Sequence, residues 1–443
     1  MNQQKLLRSA RTVFQHVANA LDAKFSLRLW DGSVVPLGNN VDPDLLVSIS
    51  GPGVIGALLR RPTIENVVRH YACRQIDFHG ADFMTFAEKV RVRNSRKCVR
   101  SISKLALARH LFPFLFVPAE SVQLDHEWRG DEFGQRRTQS DNKDFVQFHY
   151  DIGNDFYRLF LDRNMVYSCA YFTDWNNSLE QAQLDKLDMI CRKLQLKPGE
   201  KLLDIGCGWG ALVCHAVQNF GVEAHGVTLS QAQVDFANER IRTLGLEDRA
   251  SVELKNYSEI EGCYDKVASI GIIEHVGTAN IPQYLRKINS LLPDKGIFLN
   301  QGITRPAKQS RHRFRKVRPE QRVIAKYIFP GGELDYIGHT LEVMESQGFR
   351  VHDVEGWREH YALTCKLWCQ RLWENRDEAI RLVGQERFRL WLAYLGGISF
   401  PFLDGSLCLF QTLATKHTSK GHSGMPPTRR HLYDFESKIS RAA

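Results

Sequence analysis

Long hydrophobic runs are missing from this 443-residue chain. No stretch of about 18 apolar residues occurs, so no membrane-spanning helix is expected. The first ten residues lack the apolar core of a signal peptide. No Gly-Lys-Ser/Thr follows a glycine loop, which excludes a P-loop. Zinc-finger, RNP and basic-zipper patterns are missing, and so is an Asn-Pro-Pro-Tyr base-flipping motif; no nucleic-acid partner is expected. The ten cysteines are scattered, mostly inside apolar stretches such as those of Cys191, Cys214 and Cys408. That usage suits reduced thiols in a cytoplasmic protein, not a disulfide framework. Cys365 and Cys369 would share a helix face, but no second Cys/His pair accompanies them, and no metal site is expected.

What is present is the composition of a soluble globular protein, 43% hydrophobic and 25% charged. The length suggests two or three domains. The formal net charge of +9 suits nucleic acid, anionic lipid or an acidic substrate.

The stretch Leu202-Leu203-Asp204-Ile205-Gly206-Cys207-Gly208-Trp209-Gly210 is an apolar run that ends in an acid, after which glycine recurs at every second position. That is a buried parallel strand turning sharply into a helix that starts near Ala211. Glycine is needed where the backbone takes positive φ and approaches a ligand, and the helix aims its N–H groups at whatever the turn holds. A dinucleotide fingerprint would space the third glycine one residue later and end the next strand in an acid. Here the next strand, residues 222–227, runs into Thr228-Leu229-Ser230. The pattern suits S-adenosylmethionine, which has no pyrophosphate to cradle.

Taken in order, residues 3–22 read as an amphipathic helix with Leu6, Leu7, Val13, Phe14, Val17 and Leu21 on one face. Strands are expected at 25–30, 34–37 and 45–49, with a tight turn at Asp31-Gly32, and helices at 55–59 and 64–71. They make a small α/β domain ending near residue 90. A basic stretch follows, Arg91, Arg93, Arg96, Lys97, Arg100 and Lys104, interleaved with Val92, Val99, Ile102 and Leu105. It reads as a solvated helix face or as a surface resting on anionic lipid. Residues 111–117, with three phenylalanines and a proline, suit a bilayer interface. Residues 121–145 read as a polar linker. From 146 a helix at 178–194 leads into alternating strands and helices: 202–205, 211–220, 222–227, 230–244, 251–254, 265–271, 281–291 and 296–300. That is a doubly wound parallel sheet. A basic run at 305–318 follows, then helices at 334–347, 358–374 and 376–395, and a closing strand at 407–414. The last stretch, 416–443, reads as a loose polar tail. The expected organisation is therefore an N-terminal lipid-associating domain (1–120), the linker, a catalytic domain (146–415) and the tail.

Five motifs stand in order through 146–277: His149-Tyr150-Asp151-Ile152-Gly153-Asn154-Asp155-Phe156; Tyr167-Ser168-Cys169-Ala170-Tyr171-Phe172; the glycine turn; Gly226-Val227-Thr228-Leu229-Ser230-Gln231-Ala232-Gln233; and Gly271-Ile272-Ile273-Glu274-His275-Val276-Gly277. On these, residues 146–415 resemble the cyclopropane-fatty-acyl-phospholipid synthase family, including its mycolic-acid-modifying relatives. The N-terminal part is similar, more loosely, to that family's smaller preceding domain. The resemblance implies a Rossmann-like class I methyltransferase sheet with a helical substrate cover. It implies S-adenosylmethionine as methyl donor, the cis double bond of an unsaturated phospholipid acyl chain as acceptor, and a cytoplasmic enzyme peripheral on the inner membrane face. A homodimer is left open. The donor contacts implied are Tyr167, Ser168, Asp204, Gly206, Gly208, Gly210, Thr228, Ser230, Gln233, Asn256 and Tyr257. The family's base is thought to be a bound bicarbonate, whose implied holders are Cys169, Glu274, Ile303 through its backbone, and Tyr361. Glu274 would end a central strand, where partial desolvation would raise its pKa.

Two positions depart from the family. Gln301 stands where a histidine holds bicarbonate, and glutamine donates a hydrogen bond but does not titrate. Ile398 stands where a late-helix cysteine is frequent. The alternatives therefore left open are another lipid C-methyltransferase, giving a methyl or methylene branch, and a lipid-binding protein whose catalytic site has decayed.

Overall fold

Residues 3–90, 104–119, 122, 124–130, 139–150, 152–419 and 421–433 are described in this computed structural model. The expected basic stretch at Arg91, Arg93, Arg96, Lys97 and Arg100 lies outside them, as do Asp151 of the first motif and much of the expected linker. The side chain of Lys104 is likewise not described. The chain sorts into two units: Met1–Arg129 with Val317–Ile328 and Trp368–Gly397, and Gly130–Lys316 with Phe329–Leu367 and Ile398–Ala443.

In the first unit the amphipathic pattern forms the helix Gln3–Leu21, burying Leu6, Ala10 and Val13 at helical spacing. Strands β1 (Ser26–Arg28) and β2 (Val34–Pro36) pair antiparallel. The turn between them puts Gly32 at φ 82°, and Asp31 Oδ1 accepts from Ser33 N at 3.0 Å. β3 (Leu46–Ile49) joins β1 in parallel, and the helices Pro52–Arg60 and Ile64–Ala72 follow. β4 (Ile76–His79) and the helix Phe83–Val90 add to the expected set. Only four residues long and carrying Asp77, β4 has too little alternation to read as a strand. The sheet order is β2-β1-β3-β4. Arg389 ties β4 to the preceding helix. Its guanidinium donates to Tyr71 O (2.7 Å) and to Asp77 Oδ1 (2.8 Å), and lies 3.9 Å from the centre of the Tyr71 ring.

The second unit holds β5 (Lys201–Ile205), β6 (Glu223–Thr228), β7 (Ala250–Leu254), β8 (Lys266–Ile270), β9 (Ile297–Thr304), β10 (Phe349–Gly356) and β11 (Cys408–Lys416). Their order is β10-β11-β9-β8-β5-β6-β7. The first five run parallel, as expected. The expected closing strand is β11, which lies antiparallel between β9 and β10. β10 itself was not expected. A register shift between Val351 and Asp353 moves the apolar residues out of step, from 349 and 351 to 354, and the alternation is lost.

Consecutive residues of each strand serve opposite cores. Leu202, Ala268, Leu299 and Leu413 pack under the helices Leu179–Lys193, Ala211–Phe220 and Gln231–Thr243. Leu203, Val267, Phe298 and Ala414 pack under Ile281–Leu291 and Ile337–Ser346. The described residues of the closing stretch, 416–419 and 421–433, are not all loose. Leu432 is buried, Met425 packs on the core, and Arg429 pairs with Asp353 at 2.5 Å. Among the described residues, no helix is long and apolar enough to cross a membrane.

Removing one member of a buried ion pair leaves the other uncompensated, at about 3 kcal/mol. Arg389→Met should therefore destabilise the first unit by about that much in urea unfolding, and a change below about 1 kcal/mol would show that the pair is not the link described.

Candidate functional site

β5 ends at Ile205, and the chain then takes left-handed backbone at Gly206 (φ 76°), Gly208 (φ 54°) and Gly210 (φ 77°). A Cβ on Gly206 would lie 2.0 Å from Ile272 Cδ1, whereas one on Gly208 would meet nothing within 4 Å. Gly206 is thus bound by packing, and Gly208 opens to a ligand. The N–H groups of Gly206 and Cys207 both donate to Val227 O, at 2.8 and 3.1 Å, which ties the turn to β6. Trp209 Nε1 donates to Asn154 Oδ1 at 2.8 Å, and Asn154 Nδ2 to Ala232 O at 3.3 Å, so the first motif clamps the turn and the next helix. Asp204 is buried and its Oδ1 has no hydrogen-bond partner among the described residues. Burial pushes its pKa up to about 7, against the pull of the Lys186 charge.

Thr228, Ser230 and Gln233 are buried together at the end of β6. Thr228 Oγ1 donates to Gln233 Oε1 at 2.6 Å, and the Ser230 N–H points at Thr228 Oγ1 at 3.3 Å. After β7, Asn256 caps the short turn Tyr257–Glu259, its Oδ1 accepting from Ser258 N (3.0 Å) while Glu259 Oε2 accepts from Asn256 N (3.2 Å). Tyr257 stands edge-on to Tyr284, with ring centres 4.8 Å apart.

The second motif crosses the same sheet face. Lys186 Nζ donates to Ser168 Oγ at 2.9 Å. Burial lowers the Lys186 pKa to about 8, opposed by Asp162, Cys169 and Asp204. Cys169 is fully buried. Its thiol donates to Ala170 O at 3.2 Å, and burial pushes its pKa up, so it is a thiol and not a thiolate. The Tyr167 ring joins an aromatic wall, stacked on His149 at 5.6 Å and 5.3 Å from Tyr157, which is itself 5.0 Å from Trp209.

Contrary to expectation, Glu274 does not end the strand. β8 stops at Ile270, and Gly271 (φ 71°) turns the chain into the one-turn helix Ile273–Val276, whose first turn carries Glu274. The residue is 5% exposed. Oε1 accepts from Ile303 N at 2.6 Å, and Oε2 is buried without a hydrogen-bond partner among the described residues. Burial pushes the Glu274 pKa up to about 7, with the Ile303 N–H opposing. The Ile303 N–H is therefore spent on Glu274. Gln301 bonds Gln411, whose Nε2 donates to Gln301 Oε1 at 2.8 Å, and does not bond Glu274. Its backbone O accepts from Gly271 N at 2.9 Å, just before Glu274. Cys169 reaches the acid through the backbone. Its Sγ lies 3.8 Å from Trp357 O, Trp357 N donates to Leu409 O at 2.9 Å, and Leu409 pairs with Ile303. One turn on, Tyr361 N donates to Trp357 O at 3.0 Å, and the Tyr361 ring packs 4.6 Å from Phe402.

Lys186, Lys193 and Gln411 were not expected here. The available signal was a pair of lysines two turns apart on the apolar face of Leu179–Lys193. Two orphaned carboxyl oxygens, an open glycine and a dry aromatic wall fit a zwitterionic sulfonium donor beside an apolar acceptor.

The family model for mycolic acid cyclopropane synthetase matches residues 136–412. A probable fatty acid methyltransferase of Pseudomonas putida is 33% identical over 422 residues, 94% of this chain and 97% of that one. Cyclopropane mycolic acid synthase 3 of Mycobacterium tuberculosis is 36% identical over 265 residues, 59% of this chain and 92% of that one. The crystal structure of mycolic acid cyclopropane synthase CmaA1 complexed with SAH and CTAB superposes with TM-score 0.59 at 34% identity, covering 62% of this chain and 98% of that one.

A carboxyl whose pKa rises from the usual 4.5 to about 7 on folding binds more protons folded than unfolded. Its contribution to stability is full below pH 4.5 and lost as pH climbs towards 7, about 3 kcal/mol in all. Relative to the parent, Glu274→Gln should gain about that much between pH 4.5 and pH 8 in urea unfolding. A difference that does not vary with pH would show that the acid is not held protonated.

Proposed function

Because this chain belongs to the mycolic acid cyclopropane synthetase family, and is thereby an S-adenosylmethionine-dependent methyltransferase, we propose that it cyclopropanates the cis double bond of unsaturated phospholipid acyl chains. The observation that carries this reading is the Glu274 carboxyl, buried beside the glycine turn with one oxygen satisfied and the other not.

S-adenosylmethionine supplies an electrophilic sulfonium methyl. The alkene is a poor nucleophile, so the site must align the two and keep water out. The glycine turn and the Thr228-Ser230-Gln233 cluster position the donor. The rings of His149, Tyr157, Tyr167 and Trp209 exclude water, and their faces favour the cation that methylation leaves on the acyl chain. Ring closure requires that the new methyl lose a proton. Glu274, at a pKa of about 7, is the group suited to take that proton up. Bound bicarbonate would supply an additional base, and Glu274 through Oε2 and Tyr361 are the residues that would hold it. A second reading, a methyl or methylene branch, is supported by Gln301, which cannot titrate, and by the Pseudomonas putida relative's name.

The first unit supports a lipid interface. Phe114 is buried and anchors the turn Phe112–Phe116, whose Phe112 and Phe116 are 59% and 68% exposed. Arg60 Nη1 donates to Leu115 O and Val117 O, both at 2.9 Å, and holds the exposed rings in place. With the positive net charge, this suits docking on anionic membrane.

Protein incubated with methyl-labelled donor and unsaturated phospholipid vesicles should label the acyl chains. Mass spectrometry separates a saturated methyl branch, heavier by two hydrogens, from a ring or methylene branch, and proton NMR separates those two isomers, since only the branch has alkene protons. Glu274→Gln should bind donor normally and lose about a hundred-fold or more in kcat; unchanged turnover would remove the acid's role. Phe116→Ser should weaken vesicle binding about ten-fold, and parental binding should fall as salt rises. Salt-independent binding that ignores Phe116 would rule out this interface.

A further inference from the structure

Gln301 is the end of a buried polar chain. Lys193, 1% exposed, pairs with Glu355 and donates from Nζ to Gln411 Oε1 at 2.8 Å. The ammonium also lies 5.0 Å from the centre of the Trp357 ring. Gln411 Nε2 in turn donates to Gln301 Oε1 at 2.8 Å. Glutamine side chains ordinarily leave open which end is oxygen and which nitrogen. Here the ambiguity is removed at the origin, because an ammonium beside a carboxylate has donors only. If Gln411 must accept from Lys193 with its oxygen, it must donate with its nitrogen. Gln301 must then accept with its oxygen and turn its own N–H2 group the other way.

The strand register says where that group stands. Gln301 pairs with Ile270 on one side and with Gln411 on the other. It lies two residues beyond Leu299, which shares its row with Ala268 and Asp204. Gln301 is therefore on the sheet face of Asp204, at the carboxyl edge where the glycine turn begins, and its backbone O holds Gly271 ahead of Glu274.

We propose that Lys193 and Gln411 are positioning residues that fix the Gln301 amide as a permanent hydrogen-bond donor to an oxygen acceptor in the methyl-transfer site. This rests on the methyl-transfer reading. It gives Gln301 the donor function that a neutral imidazole has, without its titration. The oxygen acceptor is of oxyanion class, and bicarbonate is the probe used below.

Near-isosteric changes in the full-length protein test the direction of the chain. Gln411→Glu keeps the Lys193 contact but can only accept, so Gln301 must reverse and present its oxygen to the site. Gln301→Glu removes the donor outright. Gln301→His keeps it, because Gln411 donates to Nδ1 and leaves Nε2–H facing the site. Gln411→Glu and Gln301→Glu should each lower kcat about a hundred-fold, with KM for donor within two-fold of the parent. Gln301→His should stay within about three-fold at pH 8 and fall as pH drops through the imidazole range. Parental turnover in Gln411→Glu, or equal loss in Gln301→His and Gln301→Glu, overturns the proposal.

A readout that needs no turnover separates this from failure of the methyl-transfer reading. In protein labelled with side-chain 15N-glutamine, the Gln301 N–H2 signal, identified by its loss in Gln301→Glu, should shift when bicarbonate is added with S-adenosylhomocysteine. It should not shift in Gln411→Glu. A signal silent to bicarbonate in the parent, or equally responsive in both, sinks the relay whether or not lipid is methylated. Should Gln411→Glu fail to fold, the Gln301→His and Gln301→Glu pair decides.

Discussion

Two carboxyl groups held out of water set the terms for this structure. Asp204 lies near the end of β5, and Glu274 lies on the one-turn helix that follows the neighbouring β8; each has one buried oxygen that no group among the described residues satisfies. Leaving such a group unpaired costs about 1–3 kcal/mol and more if it is charged. The cost is limited by what touches them. The Ile303 N–H reaches one Glu274 oxygen, and the Lys186 charge lies near Asp204. Burial outweighs both aids and leaves each acid at a pKa of about 7. An acid at that pKa is poised to exchange a proton near neutrality, which a solvated carboxyl is not.

The rest of the second unit makes that burial sustainable. Apolar residues of β5, β8 and β9 alternate between two helix-covered cores, so the sheet beneath the acids is dry on both faces. The glycine turn opens the edge at one point only. Gly206 is closed off by Ile272, Gly208 faces free space, and Trp209 is held by Asn154. Access and dryness thus come from adjacent residues of one turn, which is why the spacing of its glycines is restrictive.

That spacing is legible in a sequence because it constrains backbone conformation residue by residue. The five parallel strands and their helices were legible for a related reason, since each carries its own period. What failed to show was whatever depended on distant partners. β10 does not show because a bulge breaks its alternation, and the strand expected at 265–271 does not reveal that a one-turn helix follows it and carries Glu274. The tail looked loose because Leu432 and Met425 are single apolar residues in a polar stretch. The identities of Glu274, Cys169 and Gln301 came from motif resemblance, but the partner each one bonds could come only from the fold.

Gln301 joins these two levels. As a substitution it looks like a weakening, a titrating ring exchanged for an amide. Placed beside Gln411 and Lys193, it becomes the terminus of a chain that begins on a cation and can carry hydrogen bonds in one sense only. An imidazole must keep one tautomer to donate reliably, whereas this amide is held by its neighbours at any pH at which Lys193 keeps its charge. On the proposed reading, proton traffic then falls to the Glu274 side of the site, where burial has raised the pKa of an acid to about 7. A non-titrating donor next to a tuned acid divides holding from proton transfer, and that division needs no histidine.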